Sequence, residues 1–140
     1  MSAEKAIRSY LDAFNNADLD ALASHYAATT DYRQPFTPAP LTTPAEVRAF
    51  EAGMLAGFSE VTVEIHWLVA DGDTAVAGAN ITAVHTSPMP LPDGNELPAT
   101  GAHVSLDTAE YVRVDGDGKI VEHKRYSDMA SFMRQLGIGG

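Results

Sequence analysis

Apolar residues at the start of the chain recur at helical spacing. Ala6, Ile7, Tyr10, Leu11 and Phe14 share one face and Glu4, Lys5, Arg8, Asp12 and Asn15 fall elsewhere, which predicts a helix over 3–16. Asp18 is placed to cap a second helix carrying Leu19, Leu22, Ala23 and Tyr26 and ending near Ala28. Thr43-Pro44-Ala45-Glu46 joins a capping box to a proline at the first helical position, and Val47, Phe50, Met54 and Leu55 continue it as a third helix. From residue 59 the period changes to two. Val61, Val63, Ile65, Trp67 and Val69 alternate with Thr62, Glu64, His66, Leu68 and Ala70, and Asp71-Gly72-Asp73 then turns the chain back into a strand over 74–86.

Pro88, Pro90, Pro92, Asp93-Gly94 and Pro98 mark a long loop unable to join a ladder, because proline has no amide hydrogen to give. A strand over about 102–114 follows, turns at Asp115-Gly116-Asp117-Gly118, and returns over about 119–127. Met129, Phe132, Met133 and Leu136 make a short closing helix that stops at Gly137. Helices first and an antiparallel meander afterwards indicate an α+β fold with the helices on one face of the sheet. No repeat or second domain shows over 1–138, and Gly139-Gly140 reads as a loose tail.

Length and charge narrow the function. A chain of 140 residues is large enough for one true core, and 45% hydrophobic with 20% charged residues is an ordinary globular balance. Nine Lys and Arg against 19 Asp and Glu leave a net charge of −10, which disfavours nucleic acid and anionic membranes as partners. The absence of cysteine removes disulfides, thiolate metal sites and a cysteine nucleophile. Met1 to Lys5 lacks the features of a secretory signal and no stretch is long enough for a membrane helix, so a cytoplasmic protein is expected.

Candidate chemistry concentrates in the strand over 102–114. Val104, Leu106, Thr108, Glu110, Val112 and Val114 form one face and His103, Ser105, Asp107, Tyr111 and Arg113 mark the other, so Glu110 points into the apolar side. A carboxylate there must be paired, hydrogen-bonded or protonated. It is either a general acid/base or the partner of Lys124 or Arg125 on the adjacent strand. Ala77, Ala79, Ile81, Ala83 and His85 share a face whose small side chains either leave room for a ligand or admit close helix packing. Asp128, between the last strand and the last helix, is a helix cap or a functional acid. His25, His66, His103 and His123 have no metal-ligand spacing, and phosphate loops and G-x-S-x-G elbows are missing. Tyr32, Gln34, Phe36 and Trp67 either line a pocket mouth or are ordinary core aromatics.

Ala83-Val84-His85-Thr86, Pro98-Ala99-Thr100-Gly101, Asp117-Gly118-Lys119-Ile120-Val121-Glu122, Tyr126-Ser127-Asp128 and Arg134-Gln135-Leu136-Gly137 follow one another in an order that resembles the SnoaL-like polyketide cyclase family. The resemblance implies a cone of the nuclear transport factor 2 and ketosteroid isomerase type, a curved antiparallel sheet wrapped around N-terminal helices, with a deep apolar pocket. It also implies a homodimer and a cofactor-independent cyclase or isomerase acting on an apolar, polyketide-like carbonyl compound. In that family an aspartate matching Asp128 is the acid/base, and the position of the assisting histidine is occupied here by Glu110. The expected catalytic group is then Asp128 as base with Glu110, or alternatively His85, supporting the oxyanion, since two nearby carboxyls in an apolar pocket resist joint ionisation and one keeps its proton. Tyr10, Tyr32, Phe50, Trp67, Ile81, Leu106 and Tyr126 are the expected pocket residues, with no metal and no organic cofactor. The alternatives are an epoxide or ester hydrolase using the same pocket and a non-catalytic binding or dimerisation module.

Overall fold

The computed structural model describes residues 2–91 and 93–138, so the tail expected at Gly139-Gly140 lies outside the described residues. Helix α1 spans Ala3–Asn15, capped by the Ser2 side chain, and buries Ile7, Tyr10, Leu11 and Phe14 as its spacing requires. Helix α2, Leu19–Ser24, starts at the Asp18 cap but stops four residues earlier than expected. The chain then extends as β1, Tyr26–Arg33, where a helix end was expected and no strand. Tyr26 lies four residues beyond Leu22 and so mimics the helical stripe. In the strand, Tyr26, Thr30 and Tyr32 turn inward instead. Helix α3, Pro44–Leu55, begins at Thr43, whose hydroxyl accepts from the Glu46 amide at 3.2 Å.

Strands β2 (Phe58–Asp71) and β3 (Thr74–His85) form the expected hairpin, and β6 (His103–Val114) and β7 (Ile120–Ser127) the second one. Between them the proline-rich loop makes a ladder of its own, β4 (Met89–Pro90) against β5 (Glu96–Leu97), separate from the main sheet. The main sheet runs β1-β7-β6-β3-β2. It is antiparallel except at its edge, where β1 runs parallel to β7. Helix α4, Met129–Gln135, closes the described chain. The sheet is curved and unclosed, and α1 lies against its inner face, with the Asn15 side chain accepting the Val63 amide of β2 at 2.7 Å.

One bulge decides which aromatics face inward. Ile65 pairs with Ala79 and Trp67 with Gly78, so His66 is an extra residue on β2, and the alternation flips beyond it. Val61, Val63 and Ile65 pack on the core, after which Leu68 turns in and Trp67 and Val69 turn out. The Trp67 indole lies over Gly78, where any Cβ would collide with it. The alanine face of β3 divides as well. Ala77 is packed into the core with α1 and Ala79 is buried next to it along the strand, whereas Ile81 and Ala83 border a cavity.

Candidate active site

The cavity lies on the inner side of the sheet, between it, α3 and α4, and measures about 80 Å³. Its wall is apolar and aromatic: Phe14, Phe36, Phe50, Phe58 and Phe132, with Ile81 and Leu106 from the sheet. Polar groups reach it from Gln34, Glu51, Arg125 and Ser127. Gln34 is occupied by its own loop, accepting from the Phe36 amide and donating to Thr37, both at 2.6 Å. Arg125 and Glu51 are therefore the charged groups at the cavity's polar end.

Arg125 sits on β7 directly opposite Glu110 of β6. Its Nε donates to Glu110 Oε2 at 2.8 Å, Nη2 to the Tyr10 hydroxyl at 3.0 Å, and Nη1 to Glu51 Oε1 at 3.4 Å. The guanidinium also lies over the rings of Phe14 and Tyr32, 5.4 and 5.8 Å from their centroids. Burial opposes its charge, but Glu110, Tyr32, Tyr10 and Glu51 together outweigh it and keep the guanidinium protonated.

Glu110 continues the network inward, away from the cavity. Its Oε1 is 2.7 Å from His123 Nε2, and His123 Nδ1 is 2.7 Å from the Tyr26 hydroxyl. An ionised carboxylate only accepts, so Nε2 carries the hydrogen. Tyr32 stacks on the His123 ring at 4.4 Å and Tyr10 meets it edge-on at 4.8 Å. Burial alone would raise the Glu110 carboxyl, but the Arg125 charge and the His123 hydrogen bond outweigh it and hold it down at about 2. Burial pushes the hydroxyls of Tyr10, Tyr26 and Tyr32 up, so all three stay neutral donors or acceptors.

Glu51 is the group that sequence reasoning missed. It occupies α3 among Val47, Phe50, Met54 and Leu55 and is 1% exposed. Its Oε1 accepts from Tyr32 Oη at 2.6 Å and from Arg125, while its Oε2 is buried with no hydrogen-bond partner among the described residues. Such an oxygen is costly to bury unused. The signal was a carboxylate four residues after Val47 on an apolar helical face, the same anomaly that singled out Glu110 on its strand.

The expected trio is not assembled. Asp128 is exposed and caps α4, accepting the Ser131 amide at 3.0 Å, so the acid assigned as base stands in solvent rather than in the cavity. Glu110 is buried as expected but serves Arg125 and His123 and is ionised, which removes it as a neutral donor. His85 is buried beside Phe58 and strapped to the loop before β6, its Nδ1 accepting the Thr100 amide at 3.2 Å, and it does not line the cavity. Of the expected pocket residues, Phe50, Ile81 and Leu106 line the cavity. Tyr10 and Tyr32 lie behind it in the polar network. Trp67 and Tyr126, 51% and 61% exposed, stand on the outer face, Trp67 because of the bulge. Replacing Asp128 by alanine should cost about 1 kcal/mol in urea unfolding through the lost cap, while Asp128→Asn, which caps equally well, should leave stability unchanged.

The SnoaL-like domain model matches residues 7–123. The chain belongs to the SnoaL-like family. Solved structures share its fold across nearly the whole length. TsrD from Streptomyces laurentii superposes with a TM-score of 0.80 at 22% identity, covering 96% of this chain and 93% of that one. IdmH from Streptomyces antibioticus, a candidate polyketide cyclase, gives 0.78 at 23% identity over 99% and 100%. An LEH-like epoxide hydrolase from M. tuberculosis gives 0.72 at 18% over 98% and 90%. No curated protein matches in sequence. Among the described residues no helix is long and apolar enough to cross a membrane, and no cluster of His, Asp and Glu could hold a metal ion.

Proposed function

We propose that this SnoaL-like chain is a cofactor-independent cyclase or isomerase that moves a proton on an apolar carbonyl compound, with Glu51 as the base and Arg125 as the charge that steadies the developing enolate oxygen. The observation that carries the reading is Glu51 Oε2, buried with no partner among the described residues, on a carboxyl that lines the aromatic cavity and whose other oxygen meets a fixed guanidinium. A base must take a proton from carbon adjacent to a carbonyl, and the resulting oxyanion needs a positive partner already in position. Arg125 is locked by three acceptors and held charged, so it requires no reorganisation. Tyr32 anchors the other Glu51 oxygen. The cyclase and hydrolase descriptions of its structural neighbours are compatible with this chemistry.

The test uses β-tetralone in deuterium oxide, with exchange of its hydrogens next to the carbonyl followed by NMR. The wild-type protein should accelerate exchange, Glu51→Gln should lose about 10²–10⁴-fold of that rate, and Asp128→Asn should match wild type. Exchange no faster than buffer, or undiminished in Glu51→Gln, refutes the assignment. A second reading, in which Glu51 activates water, is favoured by the carboxylate–guanidinium–carboxylate line from Glu51 through Arg125 to Glu110. It requires oxygen from heavy-oxygen water in the product of an epoxide, which proton transfer on a ketone does not produce.

A further inference from the structure

The cavity is smaller than a ring-bearing ligand. At about 80 Å³ it is well below the roughly 150 Å³ that accommodates a benzene molecule, and further below the roughly 300 Å³ at which sites for larger organic ligands begin. A substrate of the class proposed above is fully enclosed only if a wall moves.

The walls come from two apolar clusters that meet at Val61. Phe14, with Phe50, Leu55 and Ile81 packed beside it, comes from the main core around α1. Ala83, Val104 and Phe132, with Phe36, Met54 and Phe58, come from a smaller cluster built on α4, Met89 and the ends of β3 and β6. The cavity is the seam between them. Opening a seam disturbs fewer contacts than opening a core.

Helix α4 is tied to the smaller cluster through Met129, Phe132 and Leu136, and to the sheet backbone through one side chain. It is seven residues long and begins at the Asp128 cap. At its far end the Gln135 side chain does what a strand would do. Strand β7 ends at Ser127, opposite Thr108, leaving Ser105 of β6 beyond its reach. The Ser105 amide donates to Gln135 Oε1 at 2.7 Å, and Gln135 Nε2 donates back to the Ser105 carbonyl at 2.9 Å. Between cap and latch, Phe132 meets Phe36 edge-on at 5.9 Å and lies 6.1 Å from Phe58.

We propose that α4 is a hinged wall of the ligand cavity: it swings about Ser127–Asp128, the Gln135 amide latches it to the Ser105 backbone, and Phe132 sets the largest ligand admitted. The ligand side of this inference rests on the proposed function; the hinge does not.

Amide hydrogen exchange of the free protein tests the hinge. The Ser105 amide and those of residues 132–136 should exchange as one group, faster than Val112 and His123 at the sheet centre. Gln135→Ala should raise that group's exchange roughly tenfold by removing the latch bonds while leaving Val112 and His123 unchanged. Protection of α4 equal to that of Val112, or no effect of Gln135→Ala, overturns the proposal. The ligand side is read with prodan, a neutral two-ring ketone whose emission moves to the blue in apolar surroundings. In stopped flow, Gln135→Ala should raise its association and dissociation rates together, and Phe132→Ala should tighten its binding. Rates and affinities identical to wild type overturn the gate. Exchange as expected, with no prodan binding to any form, leaves the hinge standing and tells against the proposed ligand class instead.

Discussion

Arg125→Leu is expected to destabilise the protein by about 3–5 kcal/mol, the cost of leaving buried carboxylates without their cation. Against a typical total of about 5–15 kcal/mol this is most of the reserve, and the variant should unfold at far lower urea. Leucine is apolar, so the loss comes from what stays behind. Glu110, wholly buried, would keep His123 but lose the guanidinium at 2.8 Å, and Glu51 would keep Tyr32 alone. Adding Glu110→Gln to Arg125→Leu should then recover part of the loss, because the second change removes a charge the first left unpaired. Urea midpoints of the two singles and the double measure this coupling. Additive losses would mean that Arg125 acts by packing on Phe14 and Tyr32 instead of by charge.

The same network explains what the sequence could and could not reveal. Hairpins were legible because Asp-Gly turns and two-residue alternation are local signals, and the inward face of β6, Glu110 included, followed from parity alone. Strand β1 was not legible. Its partner β7 lies almost a hundred residues away, and Tyr26 extends the stripe of α2 at helical spacing. Trp67 was misplaced for a related reason: alternation holds only while the register holds, and the extra residue His66 flips it. Asp128 looked like a pocket acid because family order placed it there, yet the local chemistry of an aspartate before a helix was already complete as a cap. Glu51 was hidden in plain view, a carboxylate on the buried face of α3 whose partners, Tyr32 and Arg125, lie 19 and 74 residues away along the chain.

Acid should unfold the protein partly through Glu110. Its carboxyl is held at about 2 in the fold against an ordinary value of 4.5, so the folded state binds this proton less readily than the unfolded chain. The sign follows from that difference. A depressed carboxylate contributes its full stabilisation above about pH 4.5, loses it progressively as pH falls, and contributes nothing only well below pH 2, where both states are protonated. A shift of this size corresponds to about 3 kcal/mol. Glu110→Gln has no such proton to bind. Its stability should therefore fall below wild type at neutral pH, where Arg125 and His123 lose their anionic partner, and the gap should close as both proteins are taken toward pH 2. Urea unfolding at intervals across that range reads the gap directly. A difference as large at pH 2.5 as at pH 6 would show that Glu110 stabilises the fold by shape and hydrogen bonding, not by the charge that holds Arg125 in place beside Glu51.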